Sequence, residues 1–145
     1  MDIPIEEKFG QFKSGKAGTK FCQVYNEAVE MALSVTSATA LRLLLWASKN
    51  MDDDNLISLH RSDKMDFIKD CRLAGGGSYS ISTVNKAVMS LSDSGFMVSI
   101  GTLGERAGRY FINPYLFWKS NNQKDRINRI KEFHELLNLR KNETN

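Results

Sequence analysis

The sequence of 145 residues predicts a mainly helical fold with a small β component. Three observations predict it. Five segments between Glu27 and Leu139 repeat apolar residues every three or four positions, the period of a helix with one buried face. Three short segments, 55–60, 96–100 and 109–112, are rich in the β-branched and aromatic residues that suit strands. The last two flank a glycine-containing run, 101–108, as the arms of a hairpin flank its loop. Read in order, 38–120 is helix, short strand, helix, turn, helix, strand, loop, strand. That order is the winged form of the helix-turn-helix. An N-terminal hairpin and helix extension at 1–37 precedes it, and a C-terminal helix with a frayed tail at 121–145 follows.

Ser14-Gly15-Lys16-Ala17-Gly18 reads as a turn, and Phe21–Tyr25 as the strand that returns from it. Asn26 caps a helix, 27–35, whose inner face is Val29, Ala32 and Leu33. Thr36-Ser37 caps the next helix, Ala38 to Lys49, with Leu41, Leu44, Leu45 and Ser48 inward. Asn50 stops it. The carboxylates Asp52, Asp53 and Asp54 form a solvated turn; a calcium loop would alternate its ligands around a central glycine. Ser62 caps a helix to Cys71, with Met65, Phe67 and Ile68 inward. The run Gly75-Gly76-Gly77 lacks the Lys-Ser/Thr ending of a phosphate loop, so it reads as a plain turn.

The helix from Ser82 to Ser92, opened by Ser80 or Ser82, places Val84, Ala87, Val88 and Leu91 inward and ends at Ser94-Gly95. Asn113-Pro114 ends the return strand, because proline donates nothing to a sheet ladder. Tyr115-Leu116-Phe117-Trp118 packs on the core. The last helix, 122–139, turns Ile127, Ile130, Phe133 and Leu137 inward, and 140–145 fray.

Composition narrows the function. No apolar run is long enough to span a membrane, and the first residues lack the basic start and apolar stretch of a secretion signal. Cys22 and Cys71 stand apart as reduced thiols, which fits a cytoplasmic protein. With His60 and His134 they make no metal-binding spacing, so neither metal nor cofactor is expected. The net charge of +3 is uneven: residues 1–60 hold six Lys/Arg against eight Asp/Glu, and residues 61–145 hold fourteen against nine. A basic second half suits a surface that meets phosphates.

In a winged helix the second helix of the pair enters the major groove, and the hairpin touches backbone or minor groove. At about 100° per residue, the face opposite Val84, Val88 and Leu91 carries Ser82, Lys86, Met89 and Asp93, with Asn85 beside them. Asn85 suits adenine, Lys86 guanine or phosphate, and Ser82 and Thr83 a phosphate at the helix start. Arg106 and Arg109 of the hairpin, and Lys119 beyond it, are candidates for backbone contacts. These residues make double-stranded DNA the expected partner, with a homodimer on paired half-sites.

Segments from Leu41 to Phe133 resemble the RepL family of plasmid replication proteins. They are 46–52 with Asn55, Ile81-Ser82-Thr83-Val84 running to Leu91, Ser94-Gly95-Phe96, and above all 110–119 with its Asn-Pro, aromatic stretch and lysine. Ser120 stands where the family has glycine. The resemblance implies a protein that binds a plasmid origin and recruits host replication proteins. Tyr115 and Lys119 match the Tyr-x-x-x-Lys spacing of nicking initiators, yet that chemistry needs a divalent metal on closely spaced histidines, which the sequence lacks. A binder without catalytic activity is therefore expected. The alternatives are a transcriptional regulator on the same scaffold and a winged helix used for protein–protein contact.

Overall fold

The computed structural model describes residues 21–101 and 108–143. Their elements are β1 (Gln23–Val24), α1 (Asn26–Ala32), α2 (Ala38–Asn50), β2 (Leu56–Ser58), α3 (Arg61–Leu73), α4 (Ile81–Asp93), β3 (Met97–Ser99), β4 (Arg109–Ile112), β5 (Phe117–Trp118) and α5 (Gln123–Glu143). The fold is mainly helical with a small β component, as expected. No helix among the described residues is long and apolar enough to cross a membrane.

β4 lies between β2 and β3, antiparallel to both. Met97 pairs with Ile112 and Ser99 with Tyr110, so β3 and β4 are the two arms of the expected hairpin. Its tip, 102–107, lies outside the described residues, and Arg106 with it. Strand alternation gives the sheet two buried faces. Ile57, Met97 and Ile112 join a core with Leu43, Leu44, Phe67, Val84 and Leu91 of the first helices. Val98 and Phe111 point the other way and meet Phe133, Leu136 and Leu137 of α5. The rings of Phe111 and Phe133 pack edge to face with centroids 5.6 Å apart.

Several sequence expectations shift. β1 forms within the expected strand, and it pairs with β5, Val24 opposite Phe117. The turn expected at 14–18 lies outside the described residues. α1 buries Ala28, with Met31 and Val35 packed partly against the core, whereas Leu33 is 83% exposed. The helix is too short to wrap the core and touches it along one narrow stripe. In α2 the buried stripe is Ala40, Leu43, Leu44, Ala47 and Ser48, and Leu45 is 56% exposed. The run Leu43-Leu44-Leu45-Trp46 is apolar at consecutive positions, so periodicity alone does not set its rotation. Close approach of α4 sets it, through the small side chains Ala40, Ala47 and Ala87. In α3 Phe67 is the buried anchor and Met65 is 48% exposed. In α5 Phe133 is the buried anchor, while Ile127 faces water and the helix continues past Arg140, which donates from Nε to the Ser99 carbonyl at 3.1 Å.

Asn55 holds the three parts of this arrangement together. It is fully buried, with a left-handed backbone (φ 63°) that Asn tolerates better than most residues. Its Nδ2 donates to the carbonyls of Ile112 (3.2 Å) and Phe117 (2.7 Å). Its own carbonyl accepts from the Ile112 amide at 2.8 Å. One side chain thus joins the entry of β2, the exit of β4 and the start of β5. The turn before it is ordered by Asp52, whose Oδ1 accepts from the amides of Asp54 and Leu56, both at 2.9 Å. Asp54 in turn pairs with Arg129 of α5 at 2.9 Å.

Replacing Asn55 by Ala removes a side-chain donor from two interior carbonyls and keeps a strained φ. We expect Asn55→Ala to lower unfolding stability by about 2–4 kcal/mol, read from the urea midpoint. A loss below about 0.5 kcal/mol would show that β5 docks without it.

Candidate nucleic-acid interface

α4 follows directly from its sequence. Ser80 is the N-cap, and its hydroxyl accepts from the Thr83 amide at 3.2 Å and lies 3.0 Å from the Thr83 hydroxyl. The first-turn amides carry the positive end of the helix dipole. At the other end Gly95 takes a left-handed φ of 83°. The Phe96 amide bonds to the Leu91 carbonyl at 3.0 Å and the Gly95 amide to the Ser92 carbonyl at 3.2 Å, the pattern of a Schellman stop.

Val84, Ala87, Val88 and Leu91 are buried against α2 and the sheet. The opposite face is open. Ser82, Thr83, Asn85, Lys86 and Met89 are all exposed, together with Ser90 and Asp93. Among the described residues, the side chains of Asn85 and Lys86 have no hydrogen bond or ion pair. The five expected α4 residues therefore share one exposed, mostly polar surface, on which, among the described residues, Thr83 alone has a side-chain partner, the Ser80 hydroxyl.

The frame around α4 is rigid for reasons the sequence pattern did not reveal. Asn113 donates from Nδ2 to the Gly95 carbonyl at 3.0 Å, and its amide bonds to the Phe96 carbonyl at 2.9 Å. The end of β4 thus holds the exit of α4. At the entrance, Arg42 of α2 donates to the Gly76 carbonyl at 2.8 Å and to the Tyr79 hydroxyl. Tyr79 stacks on Phe67 with ring planes 6° apart, and Trp46 meets Phe67 edge-on. The Trp46 indole also donates to Asp70 at 2.9 Å. The turn 74–80 is therefore anchored although it contains three glycines, of which Gly75 and Gly77 have positive φ. Tyr79, an aromatic residue inside a Gly/Ser run, was the available signal for that anchor.

Arg109 and Lys119 sit elsewhere. Arg109 is half-buried and lines a cleft over the β2 edge with Asp52, Asp63 and Asp66. Lys119 donates from Nζ to the carbonyls of Lys49 (2.6 Å) and Met51 (2.7 Å), a charged cap on the last turn of α2. Arg126 of α5 donates to the carbonyls of Pro114 and Tyr115, both at 2.9 Å, and lies 3.7 Å over the Tyr25 ring. Burial pushes the thiols of Cys22 and Cys71 up from their ordinary range, which keeps them protonated and weakly nucleophilic at neutral pH. No group of three or more His, Cys, Asp or Glu side chains among the described residues is placed to hold a metal ion.

An exposed helix face, held at both ends and flanked by a β hairpin, is the setting in which the comparisons with known proteins fall. The sequence model of the family described as Firmicute plasmid replication protein (RepL) matches residues 6–145, nearly the whole chain. The chain belongs to the RepL family of plasmid replication proteins. No curated protein and no solved structure matches it.

Capping of α2 by Lys119 has a direct test. Lys119→Met keeps the aliphatic stem and removes the charge. Stability should fall by about 1–2 kcal/mol in urea unfolding.

Proposed function

We propose that this protein is a winged-helix, sequence-specific binder of double-stranded DNA that acts at a plasmid origin. α4 is the reader in the major groove. The observation that carries the reading is its exposed face: small polar side chains with one lysine and one asparagine, these last two without partners among the described residues, on a helix fixed at both ends. The element order and the β2-β4-β3 sheet support a winged helix-turn-helix reading, in which the second helix of the pair docks in the groove. Membership in a family of plasmid replication proteins supplies the biological setting.

Ser82 and Thr83, at the positive end of the helix, hold a phosphate. Asn85 and Lys86 reach base edges. Arg106 of the wing adds phosphate contacts that are indifferent to sequence. Binding, followed by recruitment of host replication proteins, is the whole activity; no catalytic step is assigned to it. A homodimer on two half-sites is the arrangement this docking mode favours.

Measurement of duplex binding across a salt series tests the reading. Affinity should fall steeply with salt as counterions are released. Lys86→Ala should weaken binding to the preferred site by about 1–3 kcal/mol, and Arg106→Ala should weaken all duplexes alike. A flat salt response would refute a phosphate-contacting surface. A marker plasmid that replicates equally well with the gene frameshifted would limit the role to regulation of transcription.

A further inference from the structure

Met89 is the one large apolar side chain on the open face of α4, and it is 64% exposed. A single exposed methionine is unremarkable by itself. Its surroundings are more informative. Met89 borders a cleft whose apolar wall includes Val88, Met97 and Leu137 and whose polar rim includes Asp93, Arg140 and Lys141, and it remains exposed on the crest of the helix. Asn85 stands one turn earlier, exposed and without a side-chain partner.

The helix rises about 1.5 Å per residue, so Asn85 and Met89 are about 6 Å apart along its axis, close to two base-pair steps of about 3.4 Å. In the major groove a side-chain amide matches the N6 and N7 edge of adenine, and thymine alone of the four ordinary bases offers an apolar C5 methyl group. An unbranched thioether adapts readily to such a methyl group.

We propose that Met89 is a specificity-determining residue that packs on the C5 methyl group of a thymine, about two base-pair steps from an adenine read by Asn85. The assignment rests on α4 being the helix that enters the major groove, and it adds to that reading the bases the helix selects. Lys86, on the other flank of the crest, is left for phosphate or guanine.

The test uses the full chain and a duplex selected from a random pool. Each thymine is replaced in turn by deoxyuridine, which lacks only the methyl group. At one thymine, or at its symmetry mate in each half-site, the replacement should weaken wild-type binding about fourfold, the worth of one buried carbon. Met89→Leu should keep that penalty, and Met89→Ala should abolish it. An adenine about two steps away should be sensitive to 7-deazaadenine in the wild type and insensitive in Asn85→Ala. A scan that is flat at every thymine, or a penalty of the same size in Met89→Ala, overturns the assignment and leaves DNA binding by α4 standing. Failure to select any duplex, with binding indifferent to salt, overturns the reading of α4 and the assignment together.

Discussion

The buried amide of Asn55 is the constraint on which the rest of the structure depends. Interior carbonyls that lose water must find a donor, and an unmet one costs about 1–3 kcal/mol. Asn55 supplies that donor to Ile112 and Phe117 at once, from a backbone conformation most residues avoid. The exit of β4 is fixed as a result. Asn113 follows immediately and secures the exit of α4. The exit of the open helix is thus held from behind by two asparagine side chains in series, while Arg42 and Tyr79 hold its entrance.

The two sides of the sheet serve different ends. The inner side packs on α2, α3 and α4 and positions the candidate reader. The outer side would leave Val98 and Phe111 in water without α5, whose Phe133 covers them. Ion pairing of Arg129 with Asp54 and the contacts of Arg126 with Pro114, Tyr115 and Tyr25 fasten the same helix to the loops at its edge. The basic side chains of α5 form a structural clasp, because its arginines engage carbonyls, a carboxylate and an aromatic face. Isolated surface pairs of this kind contribute little each, so the buried Phe133 ring is the larger part of the attachment.

How much of this was legible in the sequence follows from which physics left a local trace. α4 was read with its buried set intact, because four apolar residues recur with unambiguous spacing between a serine cap and a glycine stop. The β3–β4 hairpin was legible for a similar reason. The rotation of α2 was not, since four adjacent apolar residues fit more than one face and only the approach of α4 decides between them. The inner face of α1 was misread because its exposed Val29 and Leu33 outnumber the one residue, Ala28, that the core admits. Long-range polar contacts left the weakest trace of all: nothing near Lys119 says that its ammonium group meets the end of α2, and nothing near Arg42 says that it holds Tyr79. At the candidate site, the exposed residues of α4 were legible and the frame that aims them was not.

The separation in sequence between Asn55 and its acceptors, 57 residues to Ile112 and 62 to Phe117, bears on the order in which the molecule is made. The first helices leave the ribosome long before either carbonyl exists. Until Ile112 has emerged, the amide of Asn55 has neither acceptor, the central strand is incomplete, and the apolar stripes of α2 and α4 lack a sheet to close against. Contacts of such span carry a loop-closure cost and come late in folding. The growing chain therefore gathers its first helices early and fixes the open face of α4 only near the end of synthesis.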